Sequence, residues 1–183
     1  MTGRQLALAA AVLALAVSAC EPREVGAAAV VGDERISVTE LQGDVEAYIA
    51  SLPAGQRAGV ATGDLQREIL QLHIRRELLE RLTAAHGVTV SEADIDRALG
   101  SRQQVDSAVA REAGYVGLAA GRLIDELGDE GFRAALSELV DETGVEMNPR
   151  YGEWVEDSLR SGTGSLSTPA QRSDDDAVAP VGR

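Results

Sequence analysis

Lysine is absent from the 183 residues, cysteine occurs once, and the aromatic side chains number five. Each scarcity excludes something. With Cys20 alone there is no second thiol for an internal disulfide, so a fold in this chain rests on its apolar core. With only Tyr48, Tyr115, Phe132, Tyr151 and Trp154 as aromatics, that core is made mainly of Leu, Val, Ile and Ala. Every basic residue is Arg, 17 against 30 Asp and Glu. This acid excess argues against nucleic acid, whose binders need a basic patch to displace counterions. It argues equally against electrostatic adhesion to anionic lipid.

Residues that carry chemistry are also sparse. The two histidines, His73 and His86, sit in no HExxH pattern, so each reads as a packed or surface side chain and the sequence assigns no metal ligands. There is no G-x-S-x-G elbow for a nucleophilic serine. Asp125, Asp129 and Glu130 fail as a calcium loop: Leu127 stands where an oxygen ligand belongs, and Glu130 where the turn needs glycine. Gly162-Thr163-Gly164 lacks the third glycine of a dinucleotide loop. Acids are too abundant for any carboxylate pair to stand out as catalytic. No cofactor, catalytic residue or small-molecule substrate is expected.

Long apolar runs are scarce too, and the one present is informative. Leu6 to Val17 is 12 consecutive Leu, Ala and Val residues, and Arg4 is the only charged side chain before Glu21. A positive start and a short apolar run ending in small residues is the pattern of a secretory signal peptide. The run is too short for a permanent span, which needs roughly 20 apolar residues. Val17-Ser18-Ala19-Cys20 resembles the lipobox of bacterial lipoproteins, in which small side chains admit a peptidase and the cysteine thiol takes a diacylglycerol. The expectation is export, cleavage before Cys20, and a lipid anchor on the extracytoplasmic face of the cell membrane. Two or more acyl chains hold a protein stably where one does not.

Residues 1–19 are then the signal peptide, 20–26 a lipidated linker, 27–160 the folded domain and 161–183 a disordered tail without apolar periodicity. Within the domain, Val30 and Val31 before Gly32-Asp33 and Ile36 predict a short strand or tight hairpin. Ser37-x-x-Glu40 is a capping box opening a first helix through Leu41, Val45, Tyr48 and Leu52. Asp64 is the expected N-cap of the strongest helix, residues 65–85. Its leucines and isoleucines cover a wide arc, so it should be buried on two sides. Ser91-x-x-Asp94 opens a third helix. Val105, Ala108 and Val109 predict a fourth, while Gly114, Gly117 and Gly121 blur the pattern after it. A fifth helix ends at Gly128. A sixth carries Phe132, Ala135, Leu136, Leu139 and Val140 at i, i+3, i+4, i+7 spacing. Val145 to Asn148, before Pro149, predicts a second strand.

Three segments resemble the N-terminal domain of the periplasmic chaperone SurA and its relatives among Gram-positive foldase lipoproteins. The first is Ala28 to Ser37, AAVVGDERIS. The second is Leu70 to Leu99, with its turn Gly87-Val88-Thr89-Val90-Ser91-Glu92-Ala93-Asp94-Ile95. The third is Val145 to Gly152, VEMNPRYG. Together they span roughly 28–155. The resemblance implies a mainly α fold around a long central helix, with a small two-stranded sheet pairing the N- and C-terminal segments. It also implies binding of unfolded or newly exported polypeptides. Relatives often carry a parvulin isomerase domain as well. The stretch between Leu99 and Val145 reads as helices without parvulin strands or histidines, so a non-enzymatic role is expected. The rival is a structural or regulatory lipoprotein that binds one dedicated protein partner. A small-ligand-binding lipoprotein would want a pocket of convergent polar groups, which no motif marks. The surface around Tyr48, Leu52 and residues 53–63 is the candidate for client contact.

Overall fold

The computed structural model describes residues 25–102, 107–155 and 158–160. Strand β1 (Ala27–Val31) turns through Gly32-Asp33 into β2 (Glu34–Ser37). The turn needs glycine twice over. Gly32 has φ +63°, and a Cβ there would stand 2.9 Å from the Thr143 methyl. β3 (Val145–Met147) pairs antiparallel on the other edge of β1, giving the order β2-β1-β3. The expected pairing of N- and C-terminal segments is present, but the sheet has three strands rather than two because the first segment is itself a hairpin. All five residues of β1 are buried, as a strand flanked on both edges and covered by helices must be. A turn from Asn148 to Tyr151 locks the end of β3: the Asn148 amide N–H donates to the Ala28 carbonyl (3.0 Å), and its side chain donates to that of Ala27 (3.2 Å).

Helix α1 (Val38–Ser51) starts where expected, with the Ser37 hydroxyl accepting from the Glu40 N–H at 3.0 Å. A single turn, α2 (Ala54–Arg57), lies in the loop after Pro53. The central helix α3 (Thr62–His86) begins a turn earlier than the Asp64 cap implied. The Asp64 and Leu65 N–H groups already bond to the Ala61 carbonyl, so Asp64 sits inside the first turn, where it complements the helix dipole and pairs with Arg67. The helix is buried on two sides as expected. Leu65, Ile69, Leu70, Ile74 and Leu78 join a core with β1, α1 and Tyr151, while Leu79 and Leu82 join a second with α5. Leu72 is only half-buried.

α4 (Glu92–Arg102) opens with a complete capping box: the Ser91 hydroxyl accepts from the Asp94 N–H, and the Asp94 carboxylate accepts from the Ser91 N–H at 3.1 Å. Ser91, then Arg122 and Arg97, hold the Asp94 carboxyl well below the usual carboxylate range. The expected fourth and fifth helices are one, running from Ala108 to Gly128, where the non-helical backbone (φ 73°, ψ 164°) ends it as expected; the expected sixth follows directly, and the two stretches are labelled together as α5 (Ala108–Thr143). Gly114, Gly117 and Gly121 do not interrupt it. Val105 lies outside the described residues. A second, two-stranded sheet of β4 (Glu153–Val155) and β5 (Ser158–Arg160) closes the described chain, and no periodicity had indicated it. The fold is mainly α, with five helices among the described residues and a long central one. No helix among them is long and apolar enough to cross a membrane.

Candidate functional site

Two apolar clefts border α3, one toward each end. The first is an open groove of about 480 Å³ between α1, α3 and α5. Its floor is Leu65, Ile69 and Val109, all buried, and its walls carry Tyr48, Leu52 and Leu72, all half-buried. Gln56 and Glu68 are its polar members. The sequence had proposed Tyr48, Leu52 and residues 53–63 as a contact surface. The structure does join Tyr48, Leu52 and Gln56, and adds the α3 and α5 walls that sequence spacing could not place beside them. The second cleft, about 240 Å³, is lined by Leu78 and Leu79 of α3, Val116 and Phe132 of α5, and Trp154 of β4, with Arg75 at its rim. The Trp154 indole N–H has no hydrogen-bond partner among the described residues. Trp154 is half-buried, whereas Tyr151 is buried outright.

A charged cluster joins the same three helices as the first groove. The His73 Nδ1 is 2.8 Å from and hydrogen-bonded to Glu112 Oε1 on α5, whereas its Nε2 makes a charge contact at 3.1 Å with Asp44 Oδ2 on α1 without hydrogen-bond alignment. Both His73 and Glu112 are largely buried, at 12% and 8% side-chain exposure. Burial of the ring lowers its pKa, but the hydrogen bond and charge of Glu112, with the charges of Asp44 and Glu40, more than offset this. The ring therefore holds its proton above its ordinary value. Removing one member of a buried pair leaves the other uncompensated, at a cost of about 3–5 kcal/mol. His73 is thus packed, as expected, but its two carboxylate partners come from different helices and no spacing rule announces them. Among the described residues no group of three or more His, Cys, Asp or Glu is arranged to hold a metal ion.

His86 is exposed in the last turn of α3. Asp125, Asp129 and Glu130 are exposed on α5 around the break, a solvated helix surface. Cys20, the apolar run before it, Gly162-Thr163-Gly164 and residues 161–183 lie outside the described residues.

No curated protein and no solved structure matches the chain. A family model described as SurA-like N-terminal domain matches residues 5–116. That stretch is more than half of the chain and runs from the apolar leader into α5. It contains two of the three segments that carried the resemblance. The third, Val145 to Gly152, lies beyond it but begins with β3, which pairs with β1 inside it. By this match and the long central helix it encloses, the chain belongs to the family of SurA-like N-terminal domains.

Proposed function

We propose that this protein is a chaperone-like lipoprotein, held by lipid on Cys20 at the extracytoplasmic face of the membrane, that binds unfolded or newly exported polypeptides without catalysing a reaction on them. The observation that carries the reading is the α1–α3–α5 groove. A holdase needs accessible apolar surface with adaptable walls rather than a converging set of reactive groups. Tyr48, Leu52 and Leu72 offer that surface, and Gln56 and Glu68 at its edge can take up backbone or side-chain hydrogen bonds from an extended chain. Membership in the SurA-like family supports the same class of partner. A lipid anchor adds effective concentration: a protein tethered where exported chains emerge can work with weak individual contacts.

The test uses the full chain carrying Cys20→Ala, so that it is handled without lipid. Equimolar protein should reduce light scattering when several unrelated denatured proteins are diluted from denaturant, and Leu72→Asp in the groove should weaken the effect. Proline-limited refolding, which takes tens of seconds or more uncatalysed, should keep its rate. Protection of one protein only would favour the dedicated-partner reading, and acceleration of the proline-limited phase would overturn the non-enzymatic one. In cells, Cys20→Ala should move the protein from the membrane pellet to the soluble fraction. Retention in the pellet would place the anchor elsewhere.

A further inference from the structure

The charged cluster and the groove share their three helices. Asp44 lies one turn from Tyr48 on α1, His73 one turn from Ile69 on α3, and Glu112 one turn from Val109 on α5. Residues three or four apart on a helix stand on one face. Each member of the cluster is therefore one turn from a groove residue on its own helix, and Leu72 and Ala113, the cluster's chain neighbours on α3 and α5, line the groove, so the cluster borders it.

An imidazolium carries two N–H donors and a charge, so it can donate to Glu112 through Nδ1 and attract Asp44 through Nε2 at once. A neutral ring carries one. If that proton stays on Nδ1 toward buried Glu112, the Nε2 lone pair faces the Asp44 carboxylate across 3.1 Å. Attraction between α3 and α1 then becomes repulsion. The other charged groups acting on the site are Glu40 on α1, whose charge adds to that of Asp44, and Arg76 on α3, which is coupled to Glu112. Neither supplies a second cation between His73 and Asp44.

We propose that His73 is a pH-sensitive clamp on the groove: protonated, it ties α1 to α3 and α5 and keeps the groove narrow; deprotonated, it frees α1 and lets the groove accept an extended apolar segment. The gating of a polypeptide rests on the client-binding reading; the clamp itself does not. Linkage gives the sign. The folded state binds the His73 proton more tightly than the unfolded chain does, so this stabilisation is complete below the unfolded-state pKa. It is lost as pH rises through the higher folded value. A shift from acid to mildly alkaline surroundings thus loosens α1 and leaves the α3 core in place.

Amide hydrogen exchange of the full Cys20→Ala chain, corrected for the intrinsic effect of pH, reads the clamp directly. Between about pH 5.5 and about pH 8.5, a range that spans histidine titration, protection of residues 38–51 should fall about tenfold as attraction between the charged ring and Asp44 is lost. Protection of residues 69–82 should change little. His73→Gln, neutral throughout, should give weak and pH-independent protection of α1. Asp44→Asn should give strong, pH-independent protection, because an amide can accept from the charged ring and donate to the neutral one. Protection of α1 that is independent of pH in the parent, or equally pH-dependent in both variants, overturns the clamp. Gating is read with a fluorescent, reduced and carboxymethylated α-lactalbumin as the unfolded probe. Its affinity should rise about fivefold or more toward the alkaline end, the usual lower range of coupling between sites, in the parent and not in Asp44→Asn. Equal affinity at both ends with the exchange pattern intact overturns the gating. Absence of probe binding at both ends, with that pattern intact, overturns the client-binding reading instead.

Discussion

Gly128 divides α5 into two stretches of opposite character. Residues before it include Gly114, Gly117 and Gly121, an irregular and weakly periodic sequence, yet Val109, Glu112, Gly114, Ala119 and Leu123 are buried there. Residues after it hold the cleanest apolar stripe in the chain, Phe132, Ala135, Leu136, Leu139 and Val140, and none of these is more than half-buried. Periodicity reports that one face of a helix is apolar, not how closely a neighbour approaches it. Depth comes from small residues. At Gly114 a Cβ would stand 3.3 Å from Ile95 Cγ2, so the missing side chain is what lets α4 lie against α5. The later stretch packs Leu136 and Leu139 against both cores without burying them fully, and Phe132 and Leu136 help line the smaller cleft.

The sharpest way to test this contrast is to truncate one leucine on each side. Leu123 is fully buried, so Leu123→Ala should cost about 2–5 kcal/mol in urea denaturation, through lost burial plus the cavity left behind. Leu136→Ala, at a half-buried position beside an existing cleft, should cost about 1 kcal/mol, close to the centre of single-mutant effects. Equal costs would mean that the two stretches contribute alike.

The boundary between the stretches should show an intermediate effect. Gly128 combines φ 73° with ψ 164°, a region open in practice only to glycine. Gly128→Ala should destabilise the chain by about 1–3 kcal/mol, the usual cost of forcing a side chain into such backbone. No loss of melting temperature would show that the break is not required.

The smallest effects separate one glycine from the others. Gly117 and Gly121 have open space where a Cβ would go. Replacing either with Ala should stabilise by about 0.5–1 kcal/mol, the difference in helix propensity. Gly114→Ala should lose that gain or reverse it, because Ile95 must move. A rise in denaturation midpoint at position 114 equal to that at 121 would remove the close-approach explanation for the first stretch.

Much of the fold was legible in the sequence. The capping boxes at Ser37 and Ser91 are local hydrogen-bond patterns, and Gly87 does close α3, with φ 66°. The wide apolar arc of residues 65–85 marked the central helix, since a helix apolar on two sides has no other stable place. The glycines of α5 were harder to read. Glycine weakens a helix by only about 1 kcal/mol per position, and packing against α3 and α4 readily offsets that. The β4–β5 pair escaped because three-residue strands show too little alternation to register. Of the groove, Tyr48 and Leu52 were nameable, being amphipathic or apolar residues beside a glycine-containing loop. Asp44 and Glu112 were not, because an acid on an amphipathic helix looks the same whether it faces water or a buried histidine.

By itself the sequence determined the mainly helical class and the central helix, because these follow from periodicity, capping and turn chemistry within short windows; the SurA-like family and the joining of the first and last strand segments were legible through the resemblance of three segments to that family. Only the tertiary structure decided that Gly114, Gly117 and Gly121 lie inside one uninterrupted helical stretch, that three helices border a groove, and that His73 is held between carboxylates 29 positions before it and 39 after it in the chain. Those outcomes depend on which faces meet and at what distance. Such juxtapositions arise from packing between segments remote in sequence, and no local pattern encodes them.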